Sequence, residues 1–455
     1  MVNTLRSHPP SPTANPAQKT NKKHQRLIEK TWQTNSNSNY TEKIRDLGQT
    51  FRYEDCCDRD WNIPEISLLY GTSFYETASE QQKRILNHLY WMTLYQGVTA
   101  TELGAIVYNQ ITAGVFEEIG SHDTLCHELD LETAQEKQHI RTFQKICSKT
   151  KLALLGKTPI GNSQQKKSAN QLRGSMAIDW QYYGFRLLAK LLLKNYTGYY
   201  SPYLKAFEQK GQSIPVPTHG VVGQMAPLLQ LKFLTINFGM SPFLACQTYA
   251  IRYASNIILK AQEICYSRYF LETERQGKPV PAPTAVSRYH FLDESFHTTT
   301  SQALAIGLHQ DFPRPSAYEK FVANRMFYNI QKNLLGGLSG VLPGRCVTDD
   351  CDFMLFFYRI LQSQSFGLSA REALHWLEKC FCQEHEGFHV TLKYHQKLLI
   401  ELRRVFSALD YLWPVNREFQ LMAAGASIPQ AIQTNLQTFK RFSRAVALDS
   451  TTKMD

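Results

Sequence analysis

Seven residues of this sequence have the types and spacings of a buried metal site. In the stretch HFLDESFH, His290, Glu294 and His297 fall at i, i+4 and i+7, positions that stack on one face of an α-helix because a turn takes about 3.6 residues. Two imidazoles and one carboxylate then point the same way. An isolated ExxH is more often the wet side of a helix, but Leu292, Phe296, Leu304 and Ile306 follow the same helical run. A core is therefore expected beside these groups, and ligand-type side chains beside a core need a partner. The partner has a recognisable form in QEKQHIRTF, where Glu136 and His139 make a second ExxH.

In helix bundles that bind two metals, an ExxH from each of two helices is completed by a lone glutamate from each of the other two. Facing positions on antiparallel neighbours lie roughly thirty residues apart in sequence. Glu263 precedes Glu294 by 31 residues and Glu102 precedes Glu136 by 34. Glu117 and Glu118 compete with Glu102, but they stand only 19 and 18 residues before Glu136, which is short for a facing pair. The set is then Glu102, Glu136, His139, Glu263, His290, Glu294 and His297. Carboxylate oxygens mixed with imidazole suit iron or manganese better than the metals that thiolates select, and four carboxylates cancel the charge of two divalent ions, which lowers the cost of burying them.

At these residues the sequence resembles the ferritin-like di-iron N-oxygenases typified by p-aminobenzoate N-oxygenase. The order Glu, ExxH, Glu, HxxxExxH is reproduced, and His290 occupies the place of the additional histidine that marks that family. The resemblance covers about residues 65–310. It implies an all-α, ferritin-like di-iron four-helix bundle, two iron ions, and use of O2 with electrons from an external donor to oxidise an amine of a small organic substrate. Sequence spacing alone implies only O2 activation, so C-hydroxylation or desaturation is the enzymatic alternative and ferritin-like iron handling the non-enzymatic one. Asp293, just before Glu294, is expected to accept a hydrogen bond from a metal-bound imidazole. The corresponding residue before Glu136 is Gln135, so the pattern is not symmetric.

The net charge of +11 is no nucleic-acid signal once located. Residues 1–28 carry five Lys or Arg without an acid and residues 149–173 carry six; these equal the whole excess, and no folded basic face is implied. Residues 1–60 are read as a disordered basic segment, 61–310 as the bundle with an insert at 149–230, and 311–445 as a C-terminal helical region. Neither a signal-peptide core nor an amphipathic transit pattern is evident at the N-terminus. Ten cysteines without CxxC spacing suit a reducing cytoplasm. The apolar run from Met225 to Ile251, broken by Pro227, Lys232 and Pro242, fits a buried helix pair and not a membrane span. The sequence leaves room for a homodimer.

The elements that must carry the seven residues have their own signals. Ser79 with Gln82 starts the helix of Glu102 as a capping box, with Gly97 and Gly104 as places for a bend or close packing. Asp130 is expected to cap the helix of Glu136, and Ser241 with Pro242 to open that of Glu263. Pro279, Pro281 and Pro283 enforce a turn before the helix of His290. Trp180–Leu193 reads as helical and 201–224 as mostly loop, both candidates for a lid or pocket. Near the C-terminus, Ser369 with Glu372 caps a helix holding a third ExxH at Glu386 and His389, with Asp352 at 34 residues upstream. Gly387 weakens that helix, and a surface cluster of His385, His389 and His395 is preferred to a third half-site. No P-loop, dinucleotide or serine-hydrolase motif is present.

Overall fold

The computed structural model describes residues 22–156, 180–193, 199–210, 212, 228–335, 351–383, 385–425 and parts of 433–446. Every regular element among them is helical. Four long helices carry the candidate site: α4 (Glu80–Ile119), α5 (Asp123–Leu155), α9 (Pro242–Arg275) and α10 (Ala282–Gln302). They form two antiparallel pairs, α4 with α5 and α9 with α10, and the pairs meet through α4 on α9 and α5 on α10.

Local chemistry fixes where these helices start and stop. Ser79 and Gln82 make the reciprocal capping box at the head of α4, a device that contributes about 1 kcal/mol. The helix then runs unbroken through Gly97 and Gly104 to Gly120, whose φ of 72° belongs to the left-handed region open to glycine. Ser121 is also left-handed, and the chain reverses within three residues. Consequently α5 begins at Asp123, one helical turn after Gly120, and Asp130 lies inside the helix that it was expected to cap. Ser241 caps α9 by accepting from the Leu244 amide, with Pro242 at its first position. Leu228–Phe238 (α8) precedes it, giving the expected buried helix pair, and no described helix is long and apolar enough to cross a membrane.

Two apolar clusters occupy opposite ends of the four helices. One contains Trp61, Leu86, Trp91, Phe143, Ile146, Tyr266 and Val286. The other contains Ile111, Phe116, Leu125, Phe243, Tyr249 and Leu304. On three of the helices the candidate ligands lie between residues of the two clusters, and on α10 they lie between Val286 and the π-helical turn Ala303–Gly307 that follows it, so the site is a polar layer closed by hydrocarbon at both ends. The expected core residues Leu292 and Phe296 are only partly buried; the inward face of α10 is instead polar, with His290, Asp293, Glu294, His297, Thr300 and Ser301 all buried.

The N-terminal segment departs from the reading of 1–60 as disordered. Lys23–Ser36 (α1) and Tyr40–Thr50 (α2) are helices that pack along α5 and α10, and the short helix Ser73–Thr77 (α3) comes before α4; residues 1–21 lie outside the described part. At Gly48 the α2 backbone comes so near α5 that a methyl there would sit 2.7 Å from Thr142 Cγ2. Trp180–Leu192 (α6) is helical as expected, whereas Pro202–Gln209 (α7), expected as loop, is a helix with proline at its first position.

The chain continues through Ala317–Leu335 (α11), Cys351–Gln362 (α12), Ala370–Cys382 (α13) and His385–Phe406 (α14) to two short helices, Pro414–Arg417 and Gln420–Gly425. This part joins both clusters, through Leu402, Phe406 and Phe419 to one and Phe357, Leu361 and Phe381 to the other. The Ser369 capping box forms, but its helix stops at Cys382 and does not run on to Phe406. The side chains of Asp352, Glu386, His385, His389 and His395 lie outside the described part.

Candidate metal centre

All seven residues singled out by spacing are buried in the polar layer. Donor atoms of Glu102, His139, His290 and Glu294 lie within 4.8 Å of one another, as do those of Glu136, Glu294 and His297. Glu294 belongs to both groups and has the position of a shared ligand. Its Oε1 is 2.7 Å from His297 Nδ1 and 3.7 Å from His290 Nε2. Glu102 Oε1 lies 2.9 Å from His290 Nε2 and 3.6 Å from His139 Nδ1, and Glu136 Oε2 is also 3.6 Å from that nitrogen. The seventh residue, Glu263, enters neither group; its Oε1 accepts from His290 Nδ1 at 2.5 Å and from the Tyr95 hydroxyl at 2.7 Å.

Each imidazole is held from behind. His290 has Nδ1 on Glu263, which leaves Nε2 toward Glu102 and Glu294. His139 has Nε2 on Asp293 Oδ2 at 3.0 Å, the same oxygen that accepts from Thr41 of α2 at 2.8 Å. Its Nδ1 therefore faces Glu102 and Glu136. His297 has Nε2 on Gln135 Oε1 at 3.0 Å, and Gln135 is clasped by Asn35 of α1 through paired amide bonds. The asymmetry between Asp293 and Gln135 is thus a difference in partner, carboxylate for one histidine and amide for another. A hydrogen bond to one ring nitrogen sets the tautomer and directs the other nitrogen to a metal.

The donor set could hold a metal ion. Glu102 Oε2, Glu136 Oε2 and His139 Nδ1 are buried without a hydrogen-bond partner, a costly condition for polar atoms unless something is bound there. Oxygen and imidazole donors in this ratio suit iron or manganese. Electrostatics point the same way. Burial opposes protonation of all three imidazoles, yet the surrounding carboxylates override it. Glu263 and Glu102 lift His290 to about 10, and His139 and His297 are also raised well above the ordinary histidine range by the acids against them. Burial likewise pushes the Glu102 carboxyl up, with the Glu136 charge adding to it. Without metal, protons neutralise the acids; metal ions would displace them.

Several residues of the site carry no motif. Arg252, eleven residues before Glu263 and so three turns along one face of α9, donates to Glu136 Oε1 at 2.6 Å and pairs with the buried Glu132. It also reaches Asn109, which accepts from Tyr249. Glu128, Glu132 and Glu136 recur at i, i+4 and i+8, a signal that could have been read as one buried acidic face. Nothing in the sequence distinguishes Asn35, Thr41 or Tyr95 from ordinary polar residues.

The sequence model of a family described as acyl halogenase CylC-like matches residues 23–443. No curated protein and no solved structure matches the chain.

Proposed function

The chain belongs to the CylC-like acyl halogenase family, and from that premise we propose that it is an O2-dependent, two-metal enzyme that replaces a hydrogen of an acyl chain by halide. The observation that carries this reading is the convergence of six side chains, Glu102, Glu136, His139, His290, Glu294 and His297, on one buried space with three of their donor atoms unpaired. The four helices that deliver them support a ferritin-like bundle, and iron is the metal we assign.

Three carboxylates with two oxygens each and three imidazoles with one free nitrogen each offer at most nine donors. Two octahedral ions have about twelve positions, so room remains for O2 and for one further small ligand such as halide. Bound iron would supply reduction of O2 and an oxidant strong enough to take a hydrogen from carbon. The protein's part is arrangement. Glu263, Asp293 and Gln135 fix the three rings, Arg252 holds Glu136, and the apolar clusters exclude water that would compete with halide. Replacing C–H by C–halogen removes two electrons and a proton from substrate and halide, and reduction of O2 to water needs two more electrons, from an external donor.

The HxxxExxH order favours a second reading, oxidation of an amine at the same centre. One experiment separates the two. The full chain is loaded anaerobically with ferrous iron, its metal content measured, and acyl substrates or arylamines are supplied with O2, reductant and either chloride or bromide. Two irons per chain and an acyl product whose mass shifts with the halide support halogenation. Iron loading with products that are hydroxylated, desaturated or N-oxidised whatever the halide would overturn it.

A further inference from the structure

A line of four redox-active rings runs from the metal site toward the surface. Beside His290 stands Tyr95, with ring centres 5.9 Å apart. Tyr95 contacts Trp91 at 4.4 Å, Trp91 meets Trp61 edge to face at 5.8 Å, and Trp61 meets Tyr53 at 6.1 Å. The first three rings are fully buried, and only Tyr53 retains some exposure, 8%. Packing alone would be served by phenylalanine. Here each of the two tyrosines instead has its hydroxyl on a proton acceptor, Glu263 for Tyr95 and His88 for Tyr53.

The Tyr53–His88 pair is set for proton transfer. His88 Nε2 lies 2.7 Å from the Arg59 carbonyl, which can only accept, so that nitrogen carries the hydrogen. Nδ1 is then a lone pair, and it takes the Tyr53 hydroxyl at 3.0 Å. Burial lowers His88 to about 4, so the ring is neutral at rest with its Nδ1 lone pair on the Tyr53 hydroxyl, and an imidazolium formed there hands its proton back readily. The same imidazole stacks on Trp61 at 4.2 Å, so the two outer members of the line and the base form one unit.

We infer that Tyr53, Trp61, Trp91 and Tyr95 form an electron relay that refills the metal site from the protein surface when an oxidising equivalent there finds no substrate. In its outer step Tyr53 loses one electron to oxidised Trp61 and its hydroxyl proton to His88 Nδ1, leaving a neutral tyrosyl radical and an imidazolium. A surface reductant of the thiol or ascorbate class then returns the electron, and the proton moves back. This role rests on the O2-reducing reading of the site, so its test uses the metal-free full chain, where failure of the relay leaves that reading standing.

Cys57 is an exposed thiol four residues from Tyr53 and takes a ruthenium polypyridyl label; a labelled Cys57→Ser chain gives the background from other thiols. Flash oxidation of the label is expected to produce tyrosyl radicals, followed by electron paramagnetic resonance and assigned by Tyr53→Phe and Tyr95→Phe. Trp91→Phe should keep the Tyr53 radical and lose that of Tyr95, whereas Trp91→Tyr, which leaves a cavity of similar size but keeps a redox-active ring, should restore it. A Tyr95 radical indifferent to Trp91→Phe, or oxidation that never passes Tyr53, overturns the relay. Should both Trp91 variants fail to fold, Tyr53→Phe carries the test alone. Deuterated solvent should slow formation of the Tyr53 radical, identified by its loss in this variant, and a Tyr53 radical that forms equally fast in light and heavy water overturns the Tyr53–His88 step.

Discussion

The division of labour among the carboxylates can be tested one side chain at a time. Glu102 and Glu263 each keep one buried oxygen without a partner, but only Glu102 lies among the converging donors, whereas Glu263 sits behind His290 with its Oε1 on that ring and on Tyr95. Glu102→Gln is therefore expected to remove a metal, read as a lower iron count per chain. Glu263→Gln is expected to keep metal at the site and to weaken its binding by about 10–100-fold, measured by competition with a coloured chelator. Equal iron loss in the two variants would return Glu263 to the ligand set that its 31-residue spacing suggested. Arg252→Met leaves the buried Glu132 without its ion-pair partner, while Glu136 keeps His139 and His297, and should destabilise the metal-free fold by roughly 3–5 kcal/mol; unchanged urea unfolding would argue that Glu132 is already protonated or screened by water. The motif residues were legible because period and residue type coincide in them. Arg252 and Glu132 were less so, since a buried ion pair looks like any two charges until its partner helix is known. Spacing also says which residues meet but not which ring nitrogen an acid touches, and that detail separates a ligand from its support.

Among the elements, the long helices announced themselves through caps and prolines, and α1 and α2 did not. Their buried residues are Ile28, Thr31, Asn35, Ile44 and Gly48, with Thr41 half-buried, and Asn35 and Thr41 bond to Gln135, Glu128 and Asp293 of the polar layer. Helices with so few apolar residues on the packed face have the composition of a solvated segment, so composition misled. The structure gives these helices a task that deletion can check. Removing residues 1–21 should leave iron binding and thermal unfolding unchanged. Removing residues 1–50 takes away the supports of Gln135 and Asp293, hence of His297 and His139, and should abolish tight iron binding. Gly48→Leu is a milder form of the same test. Crowding against Thr142 should cost about 1–3 kcal/mol, read in urea unfolding, and loosen α2 from α5. The boundary misjudged at Asp130 has a different cause: two left-handed residues, Gly120 and Ser121, reverse the chain at once, and one of them is not a glycine.

For the molecule as a whole, two apolar clusters hold a layer of acids, and that layer ties stability to pH. Burial, with the charge of Glu132, pushes the Glu128 carboxyl up to about 8 from its ordinary 4.5. Between those values the folded chain keeps a proton that the unfolded chain releases, so this contribution is complete below the lower value and is lost as pH rises through the upper one. Glu128→Gln should flatten the fall, which otherwise amounts to about 1.4 kcal/mol per pH unit within the window; urea unfolding of metal-free protein on either side of it gives the reading. Metal should stabilise the fold by about 1.4 kcal/mol for each tenfold excess of free ion over its dissociation constant, so chelation is expected to lower the melting temperature. The Thr41–Asp293 bond spans 252 residues, and a ribosome adds about 5–20 residues each second. Helix α2 leaves the ribosome many seconds before α10 exists, with the Thr41 hydroxyl wetted in the meantime. The low apolar content that hid these helices from composition thus keeps them from sticking to neighbours while they wait, and the clasp around His139 cannot close until α10 has been made.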